Sequence, residues 1–125
     1  SLTALLAPVP GLAATLVSAR IVNSVDVAPL NTDYWTFQIV NKGSSGSGTT
    51  QLLAATDPNT TKASGGINGG SGLDLYKAAT LTLTSTTANR NVTGGDTLVF
   101  DMTKTGSPVT AEELSLVLDL EVTGA

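Results

Sequence analysis

The chain has 125 residues, an ordinary 41% of them hydrophobic, but only 13% charged, about half the usual share. Its net charge of −4 and its six scattered basic residues argue against nucleic acid as a partner, because phosphate binding requires clustered Lys and Arg. Cysteine and histidine are absent, which excludes disulfides and the usual zinc and iron–sulfur ligand sets. No apolar run reaches the ~20 residues that span a bilayer, so we expect no membrane partner.

The length fits one domain with a hydrophobic core. The chain is rich in Thr, Ser, Gly and Ala rather than in the Glu, Lys, Leu and Arg of helical surfaces. The composition therefore predicts an all-β protein with long polar loops.

The first 14 residues are uncharged and apolar. Pro8, Pro10 and Gly11 disfavour a regular helix or a central strand there. An exposed apolar segment usually marks a contact surface. We therefore predict an extended N-terminal arm, residues 1–14, that packs on a neighbouring subunit, and a sandwich domain, residues 15–125. The alternative is an arm that folds back on its own domain. The predicted interface residues are Leu2, Leu5, Leu6, Val9 and Leu12.

Alternation of apolar and polar residues predicts the first strands. Residues 15–22 alternate, with Val17, Ala19 and Ile21 on the predicted inner face. The clearest strand runs from Tyr34 to Val40 and ends at Asn41-Lys42-Gly43. Its inner face carries Trp35, Phe37 and Ile39.

The second half of the chain continues the pattern between turn-forming clusters of Gly, Ser, Asn, Asp and Pro. Its predicted strands are Gln51–Thr56, Leu73–Thr84, Thr97–Thr103 and Leu114–Val122. Seven or eight strands at such intervals are typical of sandwiches and barrels. We predict an antiparallel β-sandwich, specifically a jelly roll, with an immunoglobulin-like topology as the alternative.

The stretch GGSGLDLYK, residues 69–77, fits the nine-residue repeat of calcium-binding β-rolls. In a β-roll each calcium ion lies between consecutive repeats, so one copy cannot complete the site. The nine residues before and after it carry neither glycines nor a carboxylate in register. The stretch is better interpreted as a loop that enters a strand at Leu73.

The remaining polar residues predict no catalytic, cofactor-binding or metal site. Asp57-Pro58-Asn59-Thr60 is typical of a turn. Asp101, Asp119 and Glu121 occupy outward positions of predicted strands and Asp96 follows a Gly-Gly turn, without the exposed aromatics of a sugar cleft. Without His or Cys the common catalytic triads are excluded. We therefore expect a protein that is not an enzyme and needs no cofactor.

Most of residues 15–122 resembles a family of small virion proteins of tailed bacteriophages. In that family an Asn-Thr-Asp-Tyr type motif precedes a strand that ends in Asn-x-Gly, and later strands begin or end at Gly-Asp-x-Leu and Thr-Gly turns. The matching positions here are Asn31–Tyr34, Asn41–Gly43, Leu81–Ser85, Gly95–Leu98, Thr105-Gly106 and Leu116–Val122. The longer leucine-rich arm and the glycine-rich 57–72 loop depart from the family pattern.

The resemblance implies a jelly-roll decoration (cement) protein of the phage head. Such proteins form homotrimers on the outside of the capsid and clamp neighbouring major capsid proteins. The implied location is therefore the virion exterior. Two alternatives stay open: a phage tail or fibre component, and a carbohydrate-binding β-sandwich module, which the shortage of aromatic residues disfavours.

Overall fold

The computed structural model describes residues 2–6, 12–55, 57–110 and 114–124, which form an antiparallel β-sandwich. The helical elements of these residues are short: 3-10 helices at Asp57–Asn59 and Thr87–Arg90, and a turn at Ile67–Gly70. The predicted all-β fold is thus confirmed. The strands, in chain order, are β1 (Leu2–Leu6), β2 (Ala13–Val22), β3 (Tyr34–Asn41), β4 (Thr50–Gln51), β5 (Ala79–Thr80), β6 (Asn91–Thr93), β7 (Leu98–Thr105) and β8 (Ser115–Gly124).

Two sheets make up the sandwich. The first has the order β1-β7-β3-β4, and each neighbouring pair is antiparallel. In the second, β8 runs along one edge of β2, and the short β5 and β6 share its other edge. Early strands therefore pair with late ones, β2 with β8 and β3 with β7. A jelly roll has eight strands in two sheets. Here β5 and β6 lie end to end on one edge of β2, so the second sheet is three strands wide and the jelly-roll order stays a prediction.

The hydrophobic core lies between the two sheets. The inner residues of β3 and β7 are buried as their alternation predicts, and the rings of Phe37 and Phe100 stack with centroids 6.1 Å apart. Burial of each such side chain stabilises the fold by roughly 1.5–3 kcal/mol. The main contributors from the long strands are Leu16, Ala19, Ile21, Trp35, Phe37, Ile39, Leu98, Phe100 and Met102.

A bulge in β2 corrects one predicted face. Leu16 is opposite Leu120 and Ser18 is opposite Asp119, so Val17 has no partner on β8. One extra residue reverses the inside–outside alternation. Leu16 is therefore buried and Val17 is 46% exposed, contrary to the prediction for Val17, whereas Ala19 and Ile21 are buried as predicted.

Two strands are shorter than their sequences indicate. Of the predicted strand Gln51–Thr56, only Gln51 belongs to a strand, β4, and Thr56 lies outside the described residues. Within Leu73–Thr84, only β5 pairs regularly, beside isolated bridges. The apolar residues of both segments still enter the core, namely Leu52, Leu53, Leu73 and Leu81. Their apolar pattern reflects burial rather than regular pairing.

β1 occupies the first part of the predicted N-terminal arm. Its backbone pairs antiparallel with β7, from Leu2 opposite Met102 to Leu6 opposite Leu98. The backbone of Leu2–Leu6 therefore follows the alternative in which this segment folds back on its own sandwich. β2 already begins at Ala13, inside the segment assigned to the arm. Contact between residues 1–14 and a neighbouring subunit stays a prediction.

Candidate interaction surface

One lateral side of the sandwich is closed by backbone hydrogen bonds between the two sheets. The N–H of Ala54 donates to the carbonyl of Thr82, and the N–H of Thr84 donates to the carbonyl of Leu52, both at 2.9 Å. An antiparallel bridge joins Leu53 to Leu83 between these two bonds. Residues 52–54 with 82–84 are called the closed side below.

Asn59 fixes the closed side from within. Its fully buried Nδ2 donates to the carbonyls of Ala54 and Thr82, both at 2.8 Å, and its Oδ1 accepts from the N–H of Thr82 at 2.7 Å. A buried amide with satisfied donors and acceptor links the segments that it bonds. Asn59 ends the 3-10 helix Asp57–Asn59, where the sequence predicts a turn. Its role in the core has no local sequence signal.

The opposite lateral side carries two strand edges. The first sheet ends at β4 and the second at β5 and β6, and the closed side joins these two ends. The edges left over are β1 in the first sheet and β8 in the second. Within the ranges that the structure describes, no strand pairs with the outer edge of either. β1 and β8 together are called the open side below.

β8 brings leucines, backbone polar groups and carboxylates to the open side. On its outer face, Val117 is 39% exposed, and Asp119 accepts a hydrogen bond from the Ser18 hydroxyl and lies 3.5 Å from the Arg20 guanidinium. An exposed ion pair of this kind contributes only about 0–1 kcal/mol. A long edge strand is a template for pairing with another strand. The inner face carries three half-buried leucines: Leu116, Leu118 and Leu120.

The structure brings three of the five predicted interface residues to the open side. Leu2, Leu5 and Leu6 lie in β1. Leu12 is half-buried just before β2, and its carbonyl accepts from the N–H of Gly94 at 2.6 Å, next to the Ala13–Thr93 pair of β2 and β6. Val9 lies outside the described residues. The ladder partners of the three β1 leucines are Met102, Val99 and Leu98.

The apolar pattern of the sequence does not mark β8 as part of this surface. Alternation shows that one face of a strand is buried, but a strand at the edge of a sheet and a strand at its centre alternate alike. The absence of Pro and Lys from residues 115–124 is a weak signal, because protected edges often carry these residues.

A close backbone contact accounts for Gly72 in the 69–77 stretch. Val27 and Leu73 exchange two backbone hydrogen bonds, at 2.8 and 3.0 Å. Gly72 has a φ of +72°, and a Cβ there would lie 2.2 Å from the carbonyl oxygen of Val27, so only glycine fits. In the part of the chain that the structure describes, no cluster of three or more His, Cys, Asp or Glu could hold a metal ion.

Two carboxylates have lowered pKa values because they accept hydrogen bonds from residues at the ends of strands. The pKa of Asp96 falls because Oδ2 accepts hydrogen bonds from the side-chain amide of Asn41 and the N–H of Thr93, each at 3.0 Å. The pKa of Asp33 falls because Oδ1 accepts from the N–H of Ser107 at 2.7 Å and Oδ2 from the hydroxyl of Thr32 at 3.0 Å. These bonds hold the turns at the two ends of the β3–β7 ladder.

No helix of the described residues has both the length and the apolar character to cross a lipid bilayer. The chain matches no protein-family model, no curated protein and no solved structure. A functional assignment therefore depends on the surface and the turns described above.

Proposed function

We propose that this protein decorates and stabilises the outside of a tailed-phage capsid, where it bridges neighbouring major capsid proteins as a homotrimer. The observation that carries the proposal is the open side, which holds one strand edge from each sheet without a partner among the described residues. A bridging protein needs contact area for more than one neighbour rather than a catalytic cleft. Two separate edges on one side offer such area.

Four of the six positions that carry the family resemblance lie at the ends of β3 and β7, which supports the proposal. Asn41 Oδ1 accepts from the N–H of Gly43 at 2.8 Å, while its Nδ2 binds Asp96. At the other end, Gly106 lies so close to Asp33 that a Cβ would be 2.4 Å from Oδ1. These matching residues therefore stabilise turns of the sandwich, as we expect if the chain shares its fold with that family.

The physics of a shell favours such a role for a small domain. A protein that binds only the assembled lattice stabilises that lattice by mass action. Many copies on one shell add avidity, so each contact can be weak. Low charge and strand edges that no described strand covers suit this kind of binding.

Light scattering and capsid co-sedimentation test the proposal. We expect a particle of three times the 12.6 kDa chain mass that sediments with expanded tailed-phage capsids lacking decoration protein and raises their melting temperature. Deletion of residues 1–6 should abolish binding or trimer formation while the buried Trp35 keeps its native fluorescence. A deletion of 1–14 would cut into β2 and is avoided. A monomer that leaves capsids unchanged would contradict the proposal.

Two other assignments predict different results. If the protein is a tail or fibre component, immunogold electron microscopy of virions should find gold particles on the tail rather than on the head. A carbohydrate-binding module would bind a glycan array through Tyr76, an aromatic side chain that is 73% exposed, whereas Trp35 is buried. Loss of glycan binding in Tyr76→Ala would favour that module.

A further inference from the structure

The open side offers two different strand edges, which limits how copies of the chain can associate. We propose that β8 of one copy pairs with β1 of the next copy, so that each sheet continues into a neighbour. The pairing is heterologous, since it joins two different surfaces, and heterologous contacts close into a ring when the rotation between neighbouring copies divides a full turn evenly. The number of copies, three, rests on the proposed function. The pairing itself rests on the two edges.

The placement of the edges allows such a ring. Because the closed side joins the segment after β4 to the segment after β5, β1 and β8 lie on the same lateral side of each copy. Copies that turn this side toward a common axis bring the β8 edge of each next to the β1 edge of its neighbour. The half-buried leucines of β8 would lose their remaining contact with water there.

Charge selects β1 rather than a second β8 as the partner strand. β8 carries Asp119 and Glu121, so two β8 strands about a two-fold axis would set four carboxylates along one junction. Like charges across a strand pair are destabilising. β1 has the sequence LTALL and no charge. A β8–β1 junction therefore avoids the repulsion that a β8–β8 junction would create.

Mixed cysteine variants test the pairing directly, because the natural chain has no cysteine. A Thr3→Cys chain is mixed with full chains carrying Ser115→Cys, Val117→Cys or Asp119→Cys, and the mixtures are refolded together and oxidised. We expect an interchain disulfide with at least one β8 variant. Thr3→Cys mixed with Thr50→Cys, on the β4 edge of the first sheet, is the control and should stay unlinked.

The same gels separate the rival arrangement. Disulfides between two copies of a single β8 variant, formed faster than mixed ones, would overturn the proposal in favour of a two-fold junction. Mixed products no more abundant than in the Thr50→Cys control would overturn it as well. Mixed disulfides from a chain that does not bind capsids would leave the pairing intact and defeat the proposed function.

Two substitutions of opposite charge at one site of β1 test the pairing independently, through the strength of self-association. Leu5 lies opposite the uncharged Val99, and the nearest charged residue of the ladder, Asp101, is opposite Thr3 two positions along. Leu5→Glu and Leu5→Lys remove the same leucine and differ only in sign. Next to an acidic β8, the Glu variant should associate more weakly, with a dissociation constant about tenfold higher than that of the Lys variant. Equal dissociation constants, measured by light scattering on dilution, would contradict a β1–β8 junction.

Discussion

The closed and open sides of the sandwich contain similar apolar residues but treat their backbone groups differently. On the closed side, residues 52–54 and 82–84 bond each other, and Asn59 binds further groups between them. On the open side, β1 and β8 each leave an outer edge without a partner among the described residues. Backbone groups that are hydrogen-bonded within the chain stabilise its own fold, whereas an unpaired strand edge favours association with another chain. If the proposed pairing holds, stability and association depend on opposite sides of this molecule.

Asn59→Ala removes the side chain that binds the closed side, and we expect it to lower the free energy of unfolding more than the other variants do. It removes the Asn59 partner of the N–H of Thr82 and of the carbonyl of Ala54, whereas the carbonyl of Thr82 keeps its bond from the N–H of Ala54. Because an unsatisfied buried group costs about 1–3 kcal/mol, we expect the free energy of unfolding to fall by about 3 kcal/mol or more. Urea unfolding followed by Trp35 fluorescence measures the change.

The control for that variant is Asn91→Ala. Asn91 is exposed and accepts one hydrogen bond, from the Thr15 hydroxyl at 2.8 Å. Its loss should change the free energy of unfolding by only about 0.5 kcal/mol or less. Equal losses in the two variants would show that Asn59 has no special role.

Leu53→Ala and Leu118→Ala compare the two sides with one residue type. Leu53 is 1% exposed on the closed side, whereas Leu118 is half-buried on the open side. We expect the first to lower the free energy of unfolding by about 3 kcal/mol and the second by about 1 kcal/mol. Leu118→Ala should in addition weaken self-association, measured by light scattering on dilution. Association that is weakened only by Leu53→Ala would reverse the assignment of the two sides.

Acid should have the smallest effect, at the ends of the β3–β7 ladder that both sides share. The pKa values of Asp33 and Asp96 lie below 3.8, so the folded state favours the carboxylates more than the unfolded chain does. Their contribution is complete above the ordinary value and is lost as the pH falls below about 4 through the lowered pKa values. Both are solvent-exposed enough for screening to keep the loss small.

Asp96→Asn gives the matching measurement. Its free energy of unfolding should fall less steeply than that of the natural chain on acidification below pH 4, because one of the linked carboxylates is gone. Chemical denaturation at several pH values supplies the two slopes. Parallel slopes would mean that Asp96 is not linked to stability.

The two sides also differ in how far the sequence predicts them. The inner faces of β3 and β7 follow from alternation, because Trp35, Phe37, Phe100 and Met102 repeat with the period of a strand. The apolar character of Leu2, Leu5 and Leu6 likewise signals a contact. Which contact they make is not a local property, and the structure places their backbone beside β7. Asn59 and the bulge at Val17 have no periodic signal at all.

The sequence by itself determined the all-β class, the inner faces of the long strands and the turns that bound them, because these depend on neighbours a few residues apart. Only the tertiary structure decided which strands became edges, because an edge exists only once the sheet order is known. It also decided that a buried asparagine joins the sheets on one side. Pairing between distant segments, and not local propensity, makes the two sides of this sandwich different.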